Sequence, residues 1–221
     1  MRVVMAELTT AGRPDSRGRI DKRRAILKAA FAVFAEQGYA QASVQEIAEA
    51  AGVAKLTVYN HFGDKESLFR QAMEVAADAV SAENLAVVDR LRDPGDDLRA
   101  VFEDVAYSLL QVCCGERSHA LRRLTYGQIA RIPDIVEIVQ GRTGRRLAEA
   151  LADRLARLSL SGRLRPCDPA LAAEQFLALL TGPMEARTAL GTRTASPEEA
   201  RGVADAAVDT FLRAYGPAAG A

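Results

Sequence analysis

Apolar residues recur along this chain at three- and four-residue spacing, and none of its segments alternates in the strand manner, so the pattern predicts helices throughout. Ile26, Leu27, Ala30, Phe31 and Phe34 form a first stripe, which Asp21 can cap at its start and Gly38 can end. Tyr39 follows as a plug for a small helical head. A long helix is expected from Lys65 towards Arg92, with Leu68, Phe69, Ala72, Val75, Ala76, Ala79 and Val80 on one side and Asp93-Pro94-Gly95 as its stop. Leu98, Val101, Phe102, Val105, Leu109 and Val112 mark another helix, Gly115 interrupts, and a further one begins near Ser118. Pro133 opens a segment through Ile135, Ile138, Leu147, Leu151 and Leu155 towards Gly162. Asp168-Pro169 and Ser196-Pro197-Glu198-Glu199 each place an N-cap before a proline at the first helical position, and Glu199 completes a capping box. They launch two final apolar helices, the last ended by Gly216-Pro217. The reading is an all-α protein of about nine helices without a repeat of fixed period.

The most specific local pattern is SVQEIAEAAGVAKLTVYNHFGDK, Ser43 to Lys65. Ser43 and Glu46 have capping-box spacing, Val44, Ile47, Ala48 and Ala51 follow at helical intervals, and Gly52 can enter a left-handed turn without a Cβ penalty. After Val53, the residues Val58 and Phe62 lie one helical turn apart and can bury a second short helix against the first. Lys55, Leu56, Thr57, Tyr59, Asn60 and His61 are left on its outer side, rich in donors and poor in acids. Two short helices joined by a tight turn, the second with such a face, make a helix-turn-helix suited to the DNA major groove.

In these residues the chain resembles the TetR family of bacterial transcriptional repressors. Ile47-Ala48, Ala51-Gly52-Val53, Tyr59, Phe62, Lys65 and Leu68 stand in register with the family's amino-terminal signature. Ala54 departs where many relatives carry serine, leaving the second helix without a side-chain cap, and bulky Leu56 stands where many carry a small residue. The charge pattern, with Gly12, Pro14 and Gly18, makes 1–20 a flexible basic arm, and the resemblance implies a DNA-binding domain over 21–66 and a ligand-binding and dimerisation domain over 67–221. It implies that Lys55, Leu56 and Asn60 face base edges, that Thr57, Tyr59, His61 and Lys65 hold phosphates, that Gln45 reaches a base, and that Ser43 bonds a phosphate as well as capping. The segments around Gly162-Arg163-Leu164, Asp168-Pro169, Gln175-Phe176 and Phe211 to Gly216 are similar to the AefR-like type of regulatory domain.

A lone helix-turn-helix touches one half-site, and a two-fold dimer places two heads about 34–36 Å apart on a palindrome. TetR-like proteins usually dimerise through their last two helices. Leu171, Phe176, Leu179, Leu180, Val208, Phe211, Leu212 and Tyr215 are therefore interface candidates, with ordinary intrachain core as the alternative. The family also implies a small-molecule effector inside the carboxy-terminal bundle that releases the operator. Phe102, Tyr107, Leu110, Cys114, Tyr126, Ile129 and Met184 are the lining candidates, being apolar or amphipathic on the middle helices. With no Trp and 5% aromatics, an aliphatic or small acyl compound fits better than a flat polyaromatic one.

The 221 residues and 49% apolar content suffice for a sizeable core, and no apolar run reaches the roughly 18 residues of a membrane span. Met1 to Thr10 lacks a signal-peptide core, so a cytoplasmic protein is expected. Formal net charge is +0, yet Arg2, Arg13, Arg17, Arg19, Lys22, Arg23, Arg24 and Lys28 outnumber Glu7, Asp15 and Asp21 next to the helix-turn-helix, either as a phosphate-seeking arm or as an inert tail. Three cysteines, two adjacent at Cys113 and Cys114, offer no disulfide framework. Glu116 and His119 have metal-ligand spacing, but the only other histidine is His61 in the head, so no second such pair exists. No metal, cofactor or catalytic constellation is expected. The rival to a DNA-binding regulator is a helical ligand-binding or scaffold protein with a non-functional head.

Overall fold

The computed structural model describes residues 14–188 and 193–217. Ten α-helical segments follow in order: α1 (Pro14–Gln41), α2 (Val44–Ala50), α3 (Lys55–Phe62), α4 (Lys65–Val88), α5 (Leu98–Cys113), α6 (Glu116–Gln128), α7 (Ile135–Gln140), α8 (Arg146–Leu160), α9 (Pro169–Arg187) and α10 (Pro197–Tyr215). A 3₁₀ turn, Asp89–Arg92, extends α4, and a π turn, Gly141–Arg145, joins α7 to α8 with helical dihedrals on both sides. With α7, the π turn and α8 taken as one run, the described residues make nine helices and no strand. The protein is all-α, as its periodicity predicts. Two compact units divide at Phe69 and Arg70, inside α4.

One boundary differs from expectation. The first helix begins at Pro14 rather than Asp21, so residues 14–20, the last part of the segment expected as a flexible arm, are helical. Proline is tolerated in a first turn because its missing N–H would have had no intrahelical partner. Arg2, Glu7 and Arg13 of the expected basic segment lie outside the described residues. Gly38 breaks α1 where the pattern places its end: its φ of 77° is left-handed.

In the amino-terminal unit the core is aromatic. Phe34, Tyr39 and Phe69 pack with ring centroids 4.9–5.9 Å apart, the two contacts of Phe69 edge-on, and Ile26, Leu27, Ala30, Ile47, Ala48, Val58 and Phe62 are buried as well. Tyr39 is the plug its position suggests. In the carboxy-terminal unit α5, α9 and α10 pack on one another and α8 packs on α9. Phe102, Phe176 and Phe211 form its centre, with centroids 4.9–5.6 Å apart and every ring at most 1% exposed.

Both proline-bearing caps form as read. Asp168 accepts from Ala170 and Leu171, and Ser196 exchanges bonds with Glu199 in a complete capping box. The Arg193 guanidinium, 2.8 Å from the Glu199 carboxylate, and the Ser196 N–H hold that carboxyl at about 2, well below its ordinary 4.5. A depressed carboxylate adds stability above its unfolded pKa and loses it as pH falls through the folded one. Stability should therefore drop between about pH 4.5 and 2, and Glu199→Gln should flatten that limb in thermal melts, the two proteins converging near pH 2.

Candidate functional site

Helix α2 starts at Ser43, whose hydroxyl accepts from the Glu46 N–H at 3.1 Å while the Ser43 N–H donates to Glu46 Oε2 at 2.9 Å. Hydrogen bonds to its carboxylate from the Ser43 hydroxyl, first, and the Ser43 N–H hold the Glu46 carboxyl below the usual carboxylate range. The helix stops in a Schellman pair: the Val53 N–H donates to the Ala48 carbonyl and the Gly52 N–H to that of Glu49, each at 3.0 Å. Gly52 sits at φ 66°, the left-handed geometry that its lack of a Cβ permits. That turn sets the direction in which α3 leaves.

Helix α3 buries Val58 and Phe62, 2% and 6% exposed, and has no side-chain cap at Ala54. Its opposite side is open. Lys55, Leu56, Tyr59 and Asn60 are exposed, Leu56 by 69% and Tyr59 by 41%. The i, i+4 relation pairs Lys55 with Tyr59 and Leu56 with Asn60, so all four share one ridge. Thr57 and His61 flank it, half-buried, the His61 ring 5.9 Å from that of Phe62. The ridge offers an ammonium, a phenol, an amide and an apolar tip, and it carries no acid.

Two expected contacts are differently engaged. The Lys65 ammonium donates to the Ala40 carbonyl at 3.3 Å and sits 4.8 Å from the centre of the Tyr39 ring, so it clamps the head rather than reaching outward. Gln45 is exposed, but its amide donates to Glu49 at 2.7 Å. Ser43 accepts with its oxygen in the cap and turns its hydroxyl to the Glu46 carboxylate as well.

In the carboxy-terminal unit a cavity of about 290 Å³ is walled by α4, α5, α6, α7, the π turn, α8 and α9. Val80, Leu109, Leu110, Leu121, Val139, Leu147, Leu177 and Leu180 make it mainly apolar; Asn84, Cys113, Arg122, Thr143, Thr181 and Glu185 bring polar groups. Of the expected lining, Leu110 and Tyr126 belong to it. Phe102 does not, because it is sealed into the aromatic core, and Tyr107 lies on the opposite side of α5 beneath the Arg201 guanidinium, 3.7 Å from its ring centre. Ile129 points outward, 41% exposed, while Cys114 and Met184 border only an adjoining gap of about 10 Å³, room for about one water. Apolar periodicity missed the π turn and α4. The closely spaced Gly141 and Gly144, in an otherwise helical run, were the available signal for the former.

The interface candidates divide as well. Phe176, Leu180, Val208 and Phe211 are at most 1% exposed within a single chain, so they are intrachain core, and of the four only Phe211 borders a surface groove, by one edge. Leu171 is 48% exposed, and Leu179, Leu212 and Tyr215 are half-buried. Gln175, Ala178, Leu179, Pro183, Thr210, Ala214 and Tyr215 instead border an open, mostly apolar groove of about 410 Å³ on α9 and α10, with the edge of Phe211 at its floor.

Among the described residues no three His, Cys, Asp or Glu side chains gather to hold a metal ion, and no helix is long and apolar enough to cross a membrane.

Residues 26–72 match the family model for bacterial regulatory proteins of the tetR family, and residues 100–217 match the carboxy-terminal domain of AefR-like transcriptional repressors. The regulator AcrR of Shigella flexneri is 28% identical over 54% of this chain and 55% of its own length, so the chain spans about half of that relative. A TetR-family structure from Mesorhizobium loti superposes with a TM-score of 0.83 at 32% identity, covering 90% of this chain and 98% of that one. The flavonoid-responsive regulator FrrA superposes at 0.71 with 27% identity, over 90% and 98%. With a helix-turn-helix head matching one family model and the greater part of the remaining chain matching another of the same family, the chain belongs to the TetR family of bacterial regulatory proteins, with an AefR-like carboxy-terminal domain.

Proposed function

We propose that this chain is a transcriptional regulator, a repressor that binds a palindromic operator as a homodimer and is released by a small molecule held in the carboxy-terminal cavity. The observation that carries the reading is the acid-free ridge of Lys55, Leu56, Tyr59 and Asn60 on α3. Lys55 can donate to guanine, Asn60 can pair with adenine, and Leu56 can pack on a thymine methyl. Tyr59, Thr57, His61 and Ser43 are suited to phosphate oxygens, which fix register without reading sequence.

The exposed groove on α9 and α10 supports dimerisation through those helices. Leu171, Gln175, Ala178, Leu179, Pro183, Thr210 and Ala214 are the residues free to meet a second copy. The cavity supports effector binding. Its π-turn wall carries Arg142, which pairs with Glu74 at 3.4 Å and with Asp78 at 3.2 Å, and the neighbouring Arg146 also pairs with Asp78 at 3.3 Å. A ligand that moves the π turn would therefore pull on α4. An effector can only shift the equilibrium by its difference in affinity for the two states, so effector and operator weaken each other reciprocally.

A gel shift with the DNA upstream of the chain's own coding region tests this. The chain should bind it, with affinity falling as salt rises. Tyr59→Ala should weaken binding roughly 10–100-fold, the cost of one hydrogen bond to a charged group. Equal retention by the variant would count against the regulator reading and for a ligand-binding protein with an idle head.

A further inference from the structure

The sequence leaves two neighbouring cysteines, Cys113 and Cys114, without a role in DNA binding. They lie at the carboxy-terminal end of α5 as it meets the cavity. Cys113 is part of the cavity wall; Cys114 is not. Arg122, from α6, also lines the cavity and turns its guanidinium onto Cys113. Its Nη1 is 3.5 Å from the Cys113 sulfur and its Nη2 donates to the Cys113 carbonyl at 2.9 Å. A cavity-facing thiol held beside a fixed cation is the arrangement that stabilises a thiolate.

We infer that Cys113 captures soft carbon electrophiles, α,β-unsaturated carbonyl compounds or quinones, covalently within the effector cavity. The inference rests on the effector reading above and names a chemical class for it. The Cys113 thiolate attacks the β-carbon of the acceptor, forming an S–C bond as the carbon–carbon π bond breaks. The electron pair passes to the carbonyl oxygen as an enolate, for which Arg122 is the adjacent cation, and the α-carbon then takes a proton from water. The thiol proton has already gone to solvent. The step is a net addition that needs no oxidant. The apolar walls of Leu109, Leu110 and Leu177 suit the carbon body of such a molecule.

The neighbouring charges agree with the geometry. The hydrogen bond from Cys114 and the Arg122 guanidinium bring the Cys113 thiol down to about 6, against opposition from burial and from the Glu185 carboxylate of α9. Cys114 is pushed upward by that same bond and by burial. Cys167, elsewhere in the chain, is raised by burial and by Asp168. Tyr126 is the other titratable group on the cavity wall. Of the three thiols, the one facing the cavity is the one whose surroundings favour the thiolate.

The test uses the intact reduced chain and N-ethylmaleimide as probe, followed by mass spectrometry and peptide mapping. A first, fast adduct of one equivalent is expected on Cys113, its rate rising with a midpoint near pH 6. Cys113→Ser should abolish it. Cys114→Ser should keep it, since a serine hydroxyl still donates, and Arg122→Gln should slow it about tenfold at neutral pH through loss of the adjacent cation. A first adduct on Cys114 or Cys167, or a midpoint near the ordinary thiol value of 9.0, would overturn the inference. Mapping on the unsubstituted chain decides this even if a variant fails to fold. The adducted chain should then lose the upstream DNA in a gel shift. Retention of DNA by the adduct overturns the effector assignment, whereas absence of binding by the unmodified chain is a failure of the regulator reading itself.

Discussion

Phe211→Ala is expected to destabilise the carboxy-terminal unit by about 3–5 kcal/mol, the usual cost of deleting a fully buried aromatic ring. Phe211 is 1% exposed and touches three other rings: Phe102 at 5.4 Å, Phe176 at 4.9 Å and Tyr215 at 4.8 Å between centroids. It joins α10 to α5 and α9, so no single side chain can move into the space it leaves. A melting midpoint lower by roughly 6–20 °C follows for a unit of this size. Because the edge of the same ring floors the groove proposed for dimerisation, subunit association should weaken in parallel. Tyr215→Phe is the control. It removes only the 2.5 Å hydrogen bond to Gln175 at a partly exposed site, and should cost about 1 kcal/mol or less. Equal melting of the two variants would contradict the packing described for α5, α9 and α10.

The second large effect is expected at Gly52. Nothing lies within 4 Å of where its Cβ would stand, so a side chain there meets no obstacle. The cost is in the backbone: at φ 66° a non-glycine residue pays about 1–3 kcal/mol, and a β-branched one sits at the upper end. Gly52→Val relieves that strain by leaving the left-handed region, which breaks the two Schellman bonds and re-aims α3. Gly52→Asn tolerates the same dihedrals and should keep them. Operator affinity should therefore fall at least tenfold more in Gly52→Val than in Gly52→Asn, measured by anisotropy of a labelled duplex. Similar losses in both would mean that the turn does not direct α3.

These two positions also show where sequence is informative. The Ser43–Glu46 box, the Gly52 turn and the Val58–Phe62 stripe are fixed by spacing within a few residues, and each is formed as its spacing implies. The lining of the cavity is a different matter. Whether Leu110 or Phe102 faces a void depends on how α4, α6 and α9 rotate against α5, which no local pattern encodes. The same holds for α9 and α10: an apolar stripe looks alike whether it covers the chain's own core or a partner's. Phe176, Leu180, Val208 and Phe211 turned inward, and the face left over carries the less conspicuous Ala178, Pro183, Thr210 and Ala214. The surroundings of Lys65 are non-local in the same way, since the Tyr39 ring and the Ala40 carbonyl that engage it come from another helix.

The central claim is that the α3 ridge reads duplex DNA in pairs. Footprinting of the upstream intergenic DNA tests it most directly. The account predicts two protected half-sites of inverted sequence, a whole number of helical turns apart, both lost together in Tyr59→Ala. Protection of a single unpaired site, protection unchanged in that variant, or no protection at protein concentrations far above those of specific binding would contradict it.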